Sequence, residues 1–149
     1  SINLRKHTMD YIKDGKVTET FPISGGRVGF ETTSGVKLIT SHEAPRRLYN
    51  PDPKNGWDVK VDYAMRISDD GEFIHSAPWN GSIGYANLSH GCINMTTTDA
   101  GWIFDHTDFA TPVTVKGSSL SAGTGNYLAG YWNYTWQEWK RGSALWKDS

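Results

Sequence analysis

Between residues 59 and 67 the apolar side chains fall on every second position: Val59, Val61, Tyr63, Met65 and Ile67. That period of two points one face of an extended chain into a core and the other toward solvent, the pattern of a β-strand. Asp69-Asp70-Gly71 then turns the chain, and "EFIH" returns as an antiparallel partner that ends at His75. Other stretches repeat the theme. Residues 7 to 23 read as a hairpin around Asp14-Gly15, residues 28 to 30 and 36 to 40 as a second pair around Ser34-Gly35, and residues 111 to 115 as a further strand. The Thr96-x-x-Asp99 capping box starts a helix through about His106. The expected fold is therefore mostly β, with one or two short helices.

With 149 residues, 37% of them hydrophobic, and seven Trp and seven Tyr, the chain can bury the core of one compact domain. Its 15 Lys and Arg nearly balance its 16 Asp and Glu without runs of one sign, which argues against a nucleic-acid partner. No stretch approaches the roughly 18 apolar residues of a transmembrane helix. The opening at Ser1 without a leader pattern is compatible with a processed export product or a piece of a longer protein. Residues 41 to 58, with three prolines and Asn55-Gly56, read as a long irregular loop of the kind that covers sites. The chain divides at about residue 116: residues 1 to 116 carry the β pattern, and residues 117 to 149 form a Trp-rich C-terminal subdomain after a Gly/Ser-rich stretch. That subdomain is expected to have a helix from the Thr135-x-x-Glu138 capping box to Gly142. Trp136 and Trp139 share one face of it, read as packing on the sheet, with a sugar-stacking platform as the alternative.

A single cysteine excludes an internal disulfide and any CxxC motif. Cys92 lies 17 residues after His75 and two after His90, with Gly91 between. If 90 to 92 is extended, His90 and Cys92 share a face and Gly91 admits a close approach. Three readings remain open on these residues: a buried inert cysteine, a metal site from His75, His90 and Cys92, and a Cys/His pair in which imidazole takes the thiol proton and sulfur attacks a carbonyl.

His75-Ser76 followed by Ser89-His90-Gly91-Cys92-Ile93-Asn94 closely resembles the signature of the L,D-transpeptidases, the YkuD-type catalytic domain: a His, roughly 14 to 17 residues, then Ser/Thr-His-Gly-Cys-hydrophobic-Asn or Arg. "FIHSAPW", "YNPDPKNGW" and "GYWNYTWQEWKRGSAL" look like the mycobacterial and actinobacterial members. The resemblance implies a β-sandwich with the Trp-rich tail packed on it. It makes Cys92 the nucleophile, His75 its base, and Ser76 the residue that orients His75, through its carbonyl rather than its hydroxyl. It assigns the oxyanion hole to the amides of His90, Gly91 and Cys92, and support of the motif to Asn94. Trp57, Tyr63, Trp79 and Ser89 fall to the substrate side, with 41 to 58 as lid.

The resemblance also implies acyl transfer between donor and acceptor peptidoglycan tetrapeptide stems, carbapenem-type β-lactams as acylating inhibitors, no metal or organic cofactor, and an extracytoplasmic place in the cell envelope. A wall-peptide cysteine peptidase and a non-catalytic peptidoglycan-binding module are the alternatives. The chain departs from the pattern at Thr32-Thr33-Ser34-Gly35, where many relatives have Thr-Pro-x-Gly, and at Trp57, where many have Tyr.

Overall fold

Asp14 and Gly15 have φ of 52° and 75°, a two-residue turn whose twist matches the strands it joins. Those strands are β2 (Thr8–Lys13) and β3 (Lys16–Pro22), with Lys13 facing Lys16 across the turn. The computed structural model describes residues 1 to 121 and 136 to 141. With β1 (Ile2–Asn3), β4 (Gly35–Leu38) and β11 (Pro112–Lys116), the hairpin makes a five-stranded sheet in the order β3-β2-β1-β11-β4.

A second, four-stranded sheet has the order β10-β9-β8-β5, from β5 (Ser41–Glu43), β8 (Ala64–Arg66), β9 (Phe73–Ser76) and β10 (Ile93–Met95). Strand β9 runs antiparallel to β8 and parallel to β10, in a register that sets Ile74 beside Ile93 and His75 beside Asn94. Ile2, Met9 and Val115 of the first sheet share one buried cluster with Met65, Ile74, Ile93 and Met95 of the second. Helix α1 (Thr97–His106) adds Ala100 and Ile103 to it, and starts where the Thr96 hydroxyl accepts from Asp99 N at 3.1 Å. The architecture is mostly β, as the alternating segments predict, and it is built from several sheets.

Three elements differ from the sequence reading. Residues 28 to 30 are a turn closed by Phe30 N donating to Arg27 O at 2.9 Å, so β4 pairs with β11 instead. Residues 41 to 58 are not irregular: β5 is followed by a hairpin of β6 (Arg46–Asn50) and β7 (Trp57–Val61). Its turn is organised by the Asp52 carboxylate, which accepts from Lys54 N and Asn55 N at 2.7 and 2.9 Å. Only Leu48 and Val61 of this hairpin are buried, which leaves little apolar periodicity to read. The alternation over 59 to 67 is not one strand either, because the chain bends at Asp62 and Tyr63, where both amides donate to Ser76 Oγ. Beyond the bend the neighbours Ala64 and Met65 are both fully buried. Ala64 belongs to a second cluster with Leu48, Val61 and Phe73, and Met65 to the main core, so β8 is covered on both faces.

Helix α2 (Trp136–Arg141) begins one residue after Thr135. Trp136 is 68% exposed, with Lys140 Nζ 5.8 Å from its ring centre, so this tryptophan does not pack on the sheet as expected. Residues 117 to 121 run beside Ser34, whose N donates to Leu120 O at 2.8 Å. The remaining expectations for 117 to 149, Gly142 and the environment of Trp139 among them, lie outside the described residues. No helix among the described residues is long and apolar enough to cross a membrane.

Ile74 is 2% exposed and touches the core from the strand that carries His75. Ile74→Ala is expected to lower unfolding free energy by about 2–5 kcal/mol. Val17→Ala, at a 55% exposed site of β3, changes it by about 0.5 kcal/mol or less. Urea denaturation of both variants checks the assignment of inner and outer faces.

Candidate active site

Strand β9 carries His75 on the face that its neighbour β10 extends with Asn94. Carrying the β9–β10 register back one residue places Cys92 beside Phe73, a single step from the His75–Asn94 pair. His75 is 5% exposed, and its Nδ1 donates to the Ser76 carbonyl at 2.8 Å. In a neutral imidazole that bond puts the proton on Nδ1 and leaves Nε2 with a lone pair. Burial holds the His75 pKa below the ordinary histidine value, against the opposing pull of the Ser76 carbonyl. The Ser76 hydroxyl is used elsewhere, as acceptor for the Asp62 and Tyr63 amides at 3.1 and 3.3 Å.

The Cys92 thiol donates to Gly71 O, with Sγ 3.8 Å from that oxygen, and not to His75. Burial pushes the thiol up to about 12; the Phe73 amide hydrogen-bonded to the sulfur draws it down, Glu72 and Asp70 push it up, and Arg66 draws it down. Both shifts disfavour the charged forms, thiolate and imidazolium.

The loop before Cys92 is bent, not extended. Gly91 has φ of 118°, in the region that L side chains avoid, although an added Cβ would find its nearest atom, Phe30 O, at an ordinary 3.6 Å. Conformation, and not space, requires glycine here. Ser89 closes the bend: its hydroxyl donates to Cys92 O at 2.5 Å and accepts from Gly91 N at 3.2 Å. Thr32 Oγ1 donates to Gly91 O at 2.7 Å. One expectation changes as a result. His90 does not share an extended face with Cys92: its ring lies 4.9 Å from that of Trp57 and 5.0 Å from that of Phe30, and Arg27 Nη1 donates to its Nδ1 at 3.4 Å. The Gly91 amide donates to the Ser89 hydroxyl.

Two cavities meet at Cys92. One, of about 380 Å³, is walled by His75, Trp79, Leu88, Ser89 and Asn94. The other, of about 400 Å³, is walled by Thr33, Arg46, Gly71, Glu72, Phe73 and Gly91. Leu48, Trp57, His90 and Cys92 belong to both. Trp57, at the start of β7, lines both cavities, and Trp79, with its ring 6.0 Å from that of His75, lines the first. Asn94 is 4% exposed and, among the described residues, its Oδ1 has no hydrogen-bond partner.

Tyr63 lines neither cavity. Its ring packs on Phe104 at 5.3 Å and against Gly101, because the bend at 62 and 63 sends it toward α1 instead of along a straight strand. Sequence reasoning missed Leu48, Arg27, Thr32 and the Gly71 carbonyl. Leu48 stands as the one aliphatic residue in "RRLYN" and could have been noticed; a backbone carbonyl leaves no signal in residue type. His7, His42 and His106 have partners elsewhere, in Asn87, Phe104 and Trp102. Among the described residues no group of three or more His, Cys, Asp and Glu could hold a metal ion.

The profile of the L,D-transpeptidase catalytic domain (YkuD) matches residues 1–115. The chain belongs to this family. It is 33% identical over 141 residues to L,D-transpeptidase 2 of Mycobacterium tuberculosis, covering 88% of this chain and 34% of that protein. Among solved structures, an L,D-transpeptidase from Mycobacterium smegmatis superposes with a TM-score of 0.72 at 34% identity, over 77% of this chain and 56% of that one. L,D-transpeptidase 3 of M. tuberculosis in complex with a faropenem-derived adduct gives 0.72 at 30% identity, over 78% and 58%. The chain spans between 34% and 49% of the length of the first curated L,D-transpeptidases it matches.

A neutral thiol beside a neutral imidazole in one cavity can react by passing its proton to Nε2 as sulfur attacks, without a standing thiolate. His75 loses that ability only as pH falls through its lowered pKa. Alkylation of Cys92 by iodoacetamide is then expected to be level between about pH 7 and 9, whereas a thiol ionising alone near 12 would speed up about tenfold per unit. His75→Ala should restore the tenfold slope, and rates measured across that range decide between the two.

Proposed function

We propose that the protein is a peptidoglycan L,D-transpeptidase that works by two acyl transfers through Cys92. The meeting of two cavities at the one thiol, with an unprotonated His75 Nε2 in the wall of the first, is the observation that carries this reading. Sulfur attacks the carbonyl of the third residue of a tetrapeptide stem while His75 takes the thiol proton. The tetrahedral oxyanion is met by backbone amides of the cysteine loop, those of His90 and Cys92, since Ser89 engages that of Gly91. Collapse breaks the C–N bond, His75 returns its proton to the departing D-Ala amine, and a thioester remains.

In the second half a side-chain amine of another stem attacks the thioester, again losing a proton to His75, and leaves a 3→3 cross-link with the thiol restored. The departing and the arriving amine use the same base, so both belong in the first cavity. The donor acyl chain lies across Cys92 into the second. Trp57 and Trp79 bound the passage, and Asn94 offers its unpartnered Oδ1 to a substrate N–H. Ser76 holds the imidazole through its carbonyl. No cofactor enters this chemistry. Residues 1 to 116 act as the catalytic unit, with 117 to 149 as an appended subdomain. The substrate assigns the protein to the cell envelope outside the cytoplasmic membrane.

Hydrolysis by the same acyl-enzyme would need water to reach the thioester ahead of the amine. The room for an amine-bearing chain beside His75 favours transfer.

The related enzyme with a faropenem-derived adduct makes β-lactams the natural probe. Intact-mass spectrometry after incubation with a carbapenem is expected to show one covalent adduct on the wild type and none on Cys92→Ala. With a tetrapeptide donor and an amine acceptor, the cross-linked mass should appear and the hydrolysed tripeptide should dominate only without acceptor. Absence of the adduct from the folded wild type removes Cys92 as nucleophile, and hydrolysis at saturating acceptor makes the protein a peptidase.

A further inference from the structure

A buried ion pair lies beside the cysteine loop and has no part in the proton transfers above. Lys37, 0% exposed, comes from β4 in the first sheet; Glu72, 7% exposed, precedes β9 in the second. The two form a salt bridge. Thr33 binds both: its N and Oγ1 donate to Glu72 Oε2 and Oε1 at 2.9 and 2.7 Å, and Oγ1 accepts from Lys37 Nζ at 2.6 Å. The Glu72 backbone is held too, with N donating to Ser68 Oγ and O accepting from Ile67 N, each at 2.9 Å.

Apolar side chains of similar volume commonly serve stability as well as a buried ion pair does, so stability alone is a weak account of this one. Its neighbours supply another. Gly71 and Phe73, on either side of Glu72, are the two residues whose backbone groups hold the Cys92 sulfur. Thr32, beside Thr33, holds the Gly91 carbonyl at the other end of the cradle. The two adjacent threonines thus bind both walls around the nucleophile. A proline at position 33 would supply neither donor.

We propose that Thr33, Lys37 and Glu72 form a positioning unit, in which the clamped carboxylate fixes the backbone at Gly71 and Phe73 and so sets where the Cys92 sulfur sits between the two cavities. This rests on Cys92 being the nucleophile. Thr33 and Glu72 also border the second cavity, but at 8% and 7% exposed they present little surface to a donor; the three act through that backbone, and a displaced sulfur costs rate in the acylation step more than it costs binding.

The test is stopped-flow acylation by a carbapenem, with the rate constant at saturation separated from the half-saturating concentration. The proteins are the wild type, Thr33→Val, Thr33→Ser and Lys37→Met/Glu72→Gln, each corrected for folded fraction by thermal unfolding. Thr33→Val and the double variant are expected to lose about ten- to a hundredfold in the saturating rate constant, with half-saturation moving about twofold or less. Thr33→Ser keeps both donors and should stay near wild type. Where the double variant fails to fold, Thr33→Val carries the test. Saturating rate constants within about twofold of wild type in the folded variants would overturn the proposal, as would equal losses in Thr33→Ser and Thr33→Val. A wild type that forms no adduct would overturn the nucleophile assignment itself, and the positioning role with it.

Discussion

The hydrogen bonds of Ser76 tie the strand that carries His75 to the bend at 62 and 63. Its carbonyl accepts from His75 Nδ1, its N donates to Tyr63 O at 3.1 Å, and its hydroxyl accepts from the Asp62 and Tyr63 amides. The residue is fully buried, where such bonds are strong and an unmet polar group is costly. The bend it holds lets β7 leave the line of β8 and pair with β6, and that hairpin brings Leu48 and Trp57 to the wall shared by both cavities. The same residue thus sets the tautomer of the proposed base and the course of the hairpin over the proposed nucleophile.

The electrostatics of the pair follow from burial. His75 is easier to keep neutral and Cys92 harder to ionise than either would be in water, so burial favours a thiol and an imidazole over an ion pair. A protonated thiol is a poor target for stray oxidants and alkylating agents. Reactivity in such a site waits for a substrate that brings its carbonyl to sulfur while Nε2 is open to the proton. The thiol is meanwhile parked on the Gly71 carbonyl, a contact that links the cysteine loop to the turn before β9 and to the charges buried behind it.

The legible features were those written in local chemistry. Asp14-Gly15 tolerates positive φ and made its hairpin; Thr96 capped its helix; Gly91 beside Cys92 marked a special backbone position. The resemblance of the His75 and Cys92 segments to the L,D-transpeptidases placed the chain in the right family. Less legible was whatever depended on a distant partner. Residues 41 to 58 are too polar to advertise a hairpin, and Val28 to Phe30, apolar at the ends, turn out to be a turn with Val28 89% exposed. Tyr63 sits on the apolar beat of residues 59 to 67, yet a side-chain oxygen 13 residues away breaks that beat.

By itself the sequence determined the fold class, the first hairpin, the helix start and the two segments that carry the proposed site, because alternation, turn propensity and capping act over a few residues. Only the tertiary structure decided which groups meet: that Ser89 takes the Gly91 amide, that Thr33 joins Lys37 to Glu72 across two sheets, that His90 leans on Trp57, and that the thiol rests on Gly71. Apart from the bond between Ser89 and Gly91, each of these contacts brings together segments far apart in the chain. A buried polar group accepts whichever partner the assembled fold presents within about 3 Å, and residue type alone does not name that partner.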